Sequence, residues 1–167
     1  MNSATPQPNA EFSARLIEEL REHPFTRGLN DKHIQVLASC AMFSDFKAGE
    51  VIFREGEIAN RFYLLINGEV SLESASAQDT DPVQIQMIGA GDVLGWSWLF
   101  PPYYWRFNAV AVTDTRAIFL YGTRLQELSE DDHDLGYELM KRVASVVINR
   151  LQAARKQLTE MLDRAGA

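Results

Sequence analysis

Between Met42 and Tyr121 the chain is broken into short apolar runs by Gly49, Gly56, Gly68, Gly91 and Gly95 and by scattered Asp and Asn residues. Each glycine can supply a corner with φ > 0 that bulkier side chains resist, so the segment reads as many short strands joined by tight turns. Val83, Ile85 and Met87 alternate with Gln84 and Gln86, and the run Phe62-Tyr63-Leu64-Leu65-Ile66 leads into Asn67-Gly68, a hairpin signal. Short antiparallel strands with this many corners close into a jelly roll or a barrel.

Helical spacing flanks this region on both sides. Phe12, Leu16, Ile17 and Leu20 predict a helix from about Glu11 to Arg21, and Asn30 caps a second one through Ile34, Leu37 and Ala38. After Leu125, the residues Tyr137, Met140, Ala144, Val147, Leu151, Ala154, Leu158, Met161 and Ala165 follow at alternating steps of three and four, an a/d seam of about four heptads. One long helix is expected there, with Glu130, Asp131 and Asp132 in its first turn, where the dipole favours acidic groups, and Glu138 paired to Arg142. The first two turns of the seam are expected to pack on the β domain. The remainder predicts a parallel homodimer, weakened by Ala144 and Ala154, which bury little area. The fold class is therefore α+β, mainly β: a flexible tail over 1–10, a jelly-roll β-roll with N-terminal helices over 11–130, and a long C-terminal dimerisation helix over 131–167.

The chain's 167 residues suit one domain with a real core and room for a cavity. A net charge of −7 argues against a generic nucleic-acid or anionic-membrane surface. A lone cysteine, Cys40, excludes an internal disulfide, a Cys-rich zinc site and a four-thiolate cluster, and is read as a small buried apolar residue. The first ten residues lack the pattern of a secretory signal, and no apolar run approaches the ~20 residues of a membrane span, so a cytoplasmic chain is expected. His23, His33 and His133 lack metal-ligand spacing and are read as surface or capping residues, and no metal site is expected. Gly95-Trp96-Ser97-Trp98 begins like a nucleophile elbow but lacks its closing glycine, and an enzyme is not expected. Asp79, Asp81 and the small residues from Ser74 to Thr80 suggest a solvated hairpin loop.

The stretch LGWSWLFPPYYWRFNAVAV, residues 94–112, holds all three tryptophans around one cation, Arg106, the sole Lys or Arg between Arg61 and Arg116. If Arg106 points into a β-roll it is a buried cation that requires an anion. Otherwise it lies on the surface, stacked on Trp98, Tyr104 or Trp105. The aromatic residues correspondingly either plug the hollow of the roll, line an enlarged pocket for a planar effector, or simply fill core.

The segments FKAGEVIFREGEIANRFYLLINGEVSLES and IGAGDVLGWS, an arginine, and a long terminal helix resemble the cyclic-nucleotide-binding domain shared by CRP/FNR-type regulators, kinase regulatory subunits and gated channels. The resemblance covers about residues 25 to 160. It implies an eight-stranded β-roll with helices at either end, a phosphate-binding cassette beginning at Leu94-Gly95, and as effector a cyclic nucleotide such as cAMP or cGMP or a variant ligand. Gly95 and Arg106 match the family's cassette glycine and phosphate-binding arginine, whereas the ribose-binding glutamate position is Trp96 and the small residues after the arginine are Phe107 and Asn108. An indole accepts no hydrogen bond, and one buried sugar hydroxyl left unpaired costs about 1–3 kcal/mol, so weak or altered binding is expected.

The ligand set implied is Gly95, Trp96, Ser97, Trp98, Arg106, Phe107 and Asn108. Relatives that regulate transcription carry a helix-turn-helix after the long helix, and this chain stops at Ala167, so no direct DNA contact is expected. The expected function is a dimeric regulatory sensor in which a small anionic effector shifts the C-terminal helix and an unknown downstream protein reads the change. The competing expectation is a ligand-free dimeric interaction module with an aromatic-filled pocket.

Overall fold

The computed structural model describes residues 8–74 and 81–166. Most of the expected tail and of the Ser74–Thr80 loop lies outside them. The elements run α1 (Pro8–Glu22), α2 (Asp31–Ala38), β1 (Ala41–Phe46), β2 (Val51–Phe53), β3 (Arg61–Asn67), β4 (Glu69–Ser74), β5 (Val83–Gly89), β6 (Val93–Leu94), a 3₁₀ turn (Trp96–Leu99), β7 (Asn108–Ala111), β8 (Thr115–Tyr121), α3 (Gly122–Asp131) and α4 (His133–Ala165). The strands form two antiparallel four-stranded sheets, ordered β1-β8-β3-β6 and β2-β7-β4-β5. This is the expected β-roll with helices at both ends.

Asn67-Gly68 does not close a hairpin. β3 pairs with β6 and β8, whereas β4 pairs with β5 and β7, so the turn carries the chain from one sheet to the other. Gly68 takes φ +90°, and a Cβ there would lie 2.6 Å from the Thr115 Cα and 2.7 Å from the Asp114 carbonyl oxygen. Only glycine allows this corner so close to the start of β8.

The continuous apolar run of β3 follows from its place between two cores. Tyr63 and Leu65 face the interior of the roll with Phe53, Leu72, Leu94, Trp105 and Phe119. Phe62 and Leu64 face the other way, onto Leu20, Leu37, Leu125 and Leu139 of the helices, with Ile118 and Leu120 beside them. A strand buried on both faces shows no alternation.

The alternation in β5 has the opposite meaning. Gln86 lies opposite the buried Leu72 and Met87 opposite Ser71 on the outer face; the register then shifts between Leu72 and Glu73, which leaves Ile85 unpaired and sets Gln84 against Glu73 and Val83 against Ser74, and Val83, Ile85 and Met87 all remain exposed.

Two helices, not one, follow the roll. α3 packs Leu125 and Leu128 onto the core and ends at Asp131. Asp132, with φ −130° and ψ 96°, breaks the helix and caps α4, its side chain accepting from the Asp134 and Leu135 amides. Glu130 and Asp131 thus close α3 instead of opening the long helix. Lys32 Nζ reaches the Asp132 carboxylate at 2.7 Å and His33 Nε2 lies 3.4 Å from it, which ties α2 to this elbow. The Lys32 ammonium and the capping amides hold the Asp132 carboxyl down to about 2.

His23 and His33 are buried, not superficial. His23 Nδ1 accepts from the Phe25 amide at 3.1 Å, so Nε2 carries the hydrogen donated to the Leu65 carbonyl at 3.0 Å. Burial pushes the imidazole below its usual value of 6.5. The neutral form is the folded form, and the unfolded chain takes up the proton first as pH falls. The melting temperature is therefore expected to be level above pH 6.5 and to fall as the solution is acidified below it. Calorimetry between about pH 5 and pH 8 checks this, and His23→Gln should flatten the profile across that window.

Candidate functional site

The cassette region begins where β6 leaves β3. Gly95 turns with φ 88° and ψ 33°, and a Cβ on it would lie 2.6 Å from the Arg61 carbonyl oxygen and 2.9 Å from the Trp105 ring. The 3₁₀ turn that follows sends Trp98 to the helix side of the first sheet, where its ring lies 5.8 Å from that of Phe62 and its carbonyl accepts from Gln126 Nε2 at 2.6 Å. Trp96 is half-buried on the same side, edge-on to Phe100 at 6.1 Å. Ser97 is buried between them.

The return segment settles which side chains enter the roll. Residues 103–105 pair antiparallel with the loop after β2: the Ala59 amide donates to the Tyr103 carbonyl (2.6 Å), the Trp105 amide to Glu57 (2.9 Å) and the Gly56 amide to Trp105 (3.0 Å). Extended backbone alternates its side chains, so Trp105 and Phe107 point inward and Tyr104 and Arg106 point outward. Trp105 is 2% exposed and lies flat on Phe53, ring centroids 3.9 Å apart at 12°. Phe107 packs partly on the same cluster. Arg106 is exposed, and among the described residues no hydrogen bond, ion pair or aromatic ring engages its guanidinium. Neither sequence expectation for Arg106, a buried cation or a stacked one, describes this geometry. The Asn108 side-chain oxygen accepts from the Glu55 amide at 2.8 Å and braces the β2 turn.

The seven expected ligand residues therefore do not converge. Gly95 and Phe107 border the interior, Trp98 sits beyond the sheet, and Arg106 faces solvent.

A desolvated cation does exist, on α4. Arg150 donates to the Val93 carbonyl and lines a cavity of about 140 Å³ with Gln86, Ile88, Asp92, Val146 and Asn149, at the open edge between β5 and β6. Burial lowers its pKa from the ordinary arginine value, with Asp92 acting in the opposite sense. No carboxylate among the described residues comes within ion-pair distance of it. The sequence carries a signal for this residue: Leu135, Leu139, Val143, Val146 and Arg150 follow at helical steps, placing an arginine on the apolar stripe that faces the domain.

Apart from Val147, which packs partly against the core under the helices, the buried stripe is not the a/d seam. Tyr137, Met140, Ala144, Leu151, Leu158 and Met161 are all exposed, so even the first two turns of the seam, expected against the β domain, face outward.

Two antiparallel sheets rolled around an apolar interior, a glycine-led cassette between β6 and β7, and helices stacked on one sheet define a β-roll of the cyclic-nucleotide-binding type. The chain belongs to the cyclic nucleotide-binding domain family, whose model matches residues 43–132. A solved structure from Geobacter metallireducens, described as a candidate cyclic nucleotide-binding protein, is 34% identical, covers 80% of this chain and 96% of that one, and superposes with a TM-score of 0.72. A cyclic nucleotide-binding domain from Methylobacillus flagellatus shares the fold with a TM-score of 0.78 at 17% identity, covering 93% and 92% of the two chains. The CRP-like cAMP-activated global transcriptional regulator of Mycobacterium tuberculosis is 24% identical over 136 residues, 81% of this chain and 58% of that protein. The chain thus spans a little over half the length of that curated relative. Among the described residues, no helix is long and apolar enough to cross a membrane.

Proposed function

We propose that this domain is a regulatory module of the family whose roll is closed by its own aromatic side chains and whose output surface is the exposed seam of α4, joined to a second copy. It is read as a cytoplasmic, non-enzymatic protein that passes its state to a separate partner without contacting DNA. The observation that carries the reading is Trp105 lying on Phe53 inside the roll while Arg106 stands outside it.

A second reading, a sensor for a small anionic effector, is favoured by Arg150, a desolvated guanidinium beside a cavity and without a carboxylate partner. Burying such a cation is costly unless a counter-charge arrives.

Titration with cAMP, cGMP and inorganic phosphate, followed through the tryptophan fluorescence, separates the two. The closed-roll reading expects no saturable change with any of them. A saturable change abolished by Arg150→Ala and retained in Arg106→Ala would replace it with the second reading. A change that Arg106→Ala abolishes would mean that the cassette refolds around a nucleotide as in other family members.

A further inference from the structure

Along α4, Arg142, Val146, Asn149 and Arg150 follow at helical steps and face the turn that joins β5 to β6. That turn is held by one residue at both ends. The Asp92 amide donates to the Gly89 carbonyl at 3.1 Å, and the Asp92 carboxylate accepts from the Gly89 amide at 2.9 Å. Gly91 sits inside the corner with φ 87°, where a Cβ would come 3.2 Å from the Pro24 ring.

Two hollows lie between helix and turn. The one at Arg150 has a volume of about 140 Å³, and a second of about 400 Å³ reaches toward Pro24 and Phe25. Asp92, Val146 and Asn149 line both, so the hollows adjoin, and their joint size is that of a small-molecule site. The larger has apolar walls in Pro24, Phe25 and Val93, and its arginine is already committed. Arg142 Nη1 donates to the Phe25 carbonyl at 2.7 Å and to the Arg27 carbonyl at 2.9 Å, while Nη2 lies 3.5 Å from Glu138. The smaller holds two opposite charges that do not meet. Arg150 has the Val93 carbonyl as its partner and Asp92 the Gly89 amide, and among the described residues no ion pair joins the two.

This arrangement selects a ligand by charge. A desolvated guanidinium calls for an anionic group. A carboxylate on the same wall repels a ligand that carries negative charge alone, and like charges brought together are a strong means of rejecting the wrong partner. A molecule with a carboxylate and an ammonium on neighbouring atoms satisfies both walls, and the apolar surface beyond them gains from an apolar tail. We infer that the cleft between α4 and the β5–β6 turn binds an α-amino acid with an apolar side chain, its carboxylate on Arg150 and its ammonium on Asp92. The inference rests on the effector reading of Arg150 and names the ligand class; the roll itself stays closed by Trp105. Asp92 and Asn149 are exposed and mark the mouth of the cleft. A ligand held in this way ties α4 to the roll.

Calorimetric titration of the full chain with leucine, isocaproate, isoamylamine and inorganic phosphate tests it. Isocaproate keeps the carboxylate and apolar tail of leucine without the ammonium, and isoamylamine keeps the ammonium and tail without the carboxylate. The wild type should bind leucine saturably and each of the other three at least about tenfold more weakly, the scale of one lost charge-assisted contact. Arg150→Gln, which retains an N–H for the Val93 carbonyl, should weaken leucine binding by the same factor. Asp92→Asn, which retains an acceptor for the Gly89 amide, should bind isocaproate as tightly as leucine. That gain of isocaproate binding is a change no misfolded variant would show. Isocaproate or phosphate bound by the wild type as tightly as leucine, and lost in Arg150→Gln, would overturn the inference and leave the anionic-effector reading standing. Leucine bound equally by wild type and Arg150→Gln would overturn it by placing the ligand elsewhere. Binding of none of the four would remove both.

Discussion

Trp105→Ala is expected to lower the unfolding free energy by about 3–5 kcal/mol, the usual cost of deleting a large buried aromatic side chain. The indole is enclosed on all sides: Phe53 lies flat against it, and the space a Cβ on Gly95 would need is taken by its six-membered ring. Urea unfolding followed by far-ultraviolet circular dichroism reads the loss without using the deleted fluorophore. The variant offers a second readout, because a hollow lined by Phe53 and its neighbours should accept a small planar molecule. Added indole should raise the melting temperature of Trp105→Ala and leave the wild type unchanged, since a ligand stabilises only the state that binds it. A loss below about 1 kcal/mol, or equal rescue of both proteins, would mean that the ring does not fill the roll.

The second large effect concerns α4. Leu151→Ala with Leu158→Ala should raise the dissociation constant of the proposed α4 dimer roughly a thousandfold. Two leucines from each chain are lost, and about 1 kcal/mol per truncated side chain is a conservative value for apolar area returned to water. Leu151 is 67% and Leu158 57% exposed in the single chain, so the substitutions should leave the monomer's own stability nearly intact. Sedimentation equilibrium and thermal unfolding, measured on the same samples, distinguish a lost interface from a damaged fold. A dissociation constant unchanged by the double substitution would remove the seam as the contact between copies.

Much of the architecture is legible in the chain. Gly49, Gly56, Gly68, Gly91 and Gly95, five of the six glycines in residues 42–121, adopt φ between 84° and 90°, because a backbone corner that bulkier residues resist leaves its mark in residue type. The N-cap at Asn30 is equally local: its side-chain oxygen accepts from the His33 amide at 2.8 Å. The α4 seam is visible in the spacing of its apolar residues, although the spacing does not say which of two stripes meets the domain. The stripe through Leu135, Leu139 and Val143 is the one buried. The break at Asp132 was hidden because an acidic run suits both a helix start and a helix end followed by a cap.

The site was less legible. Gly95 is held in its corner by the Arg61 backbone and Trp105, contacts between residues far apart in the chain. Asn108 is engaged by the β2 turn and Trp98 by α3, neither of which shows in the order of residues.

Residue order by itself therefore determined the local geometry: the corners, the caps, the helical stripes, and with them a β-roll followed by a long helix. The tertiary structure alone decided facing. An extended strand exposes its two sides according to the strand it pairs with, and the pairing of residues 103–105 with the loop after β2 put an indole where a guanidinium was expected. The same logic left Val83, Ile85 and Met87 exposed and brought Arg150 to the open edge of the roll, since inside and outside are properties of the assembled sheets and not of any one segment.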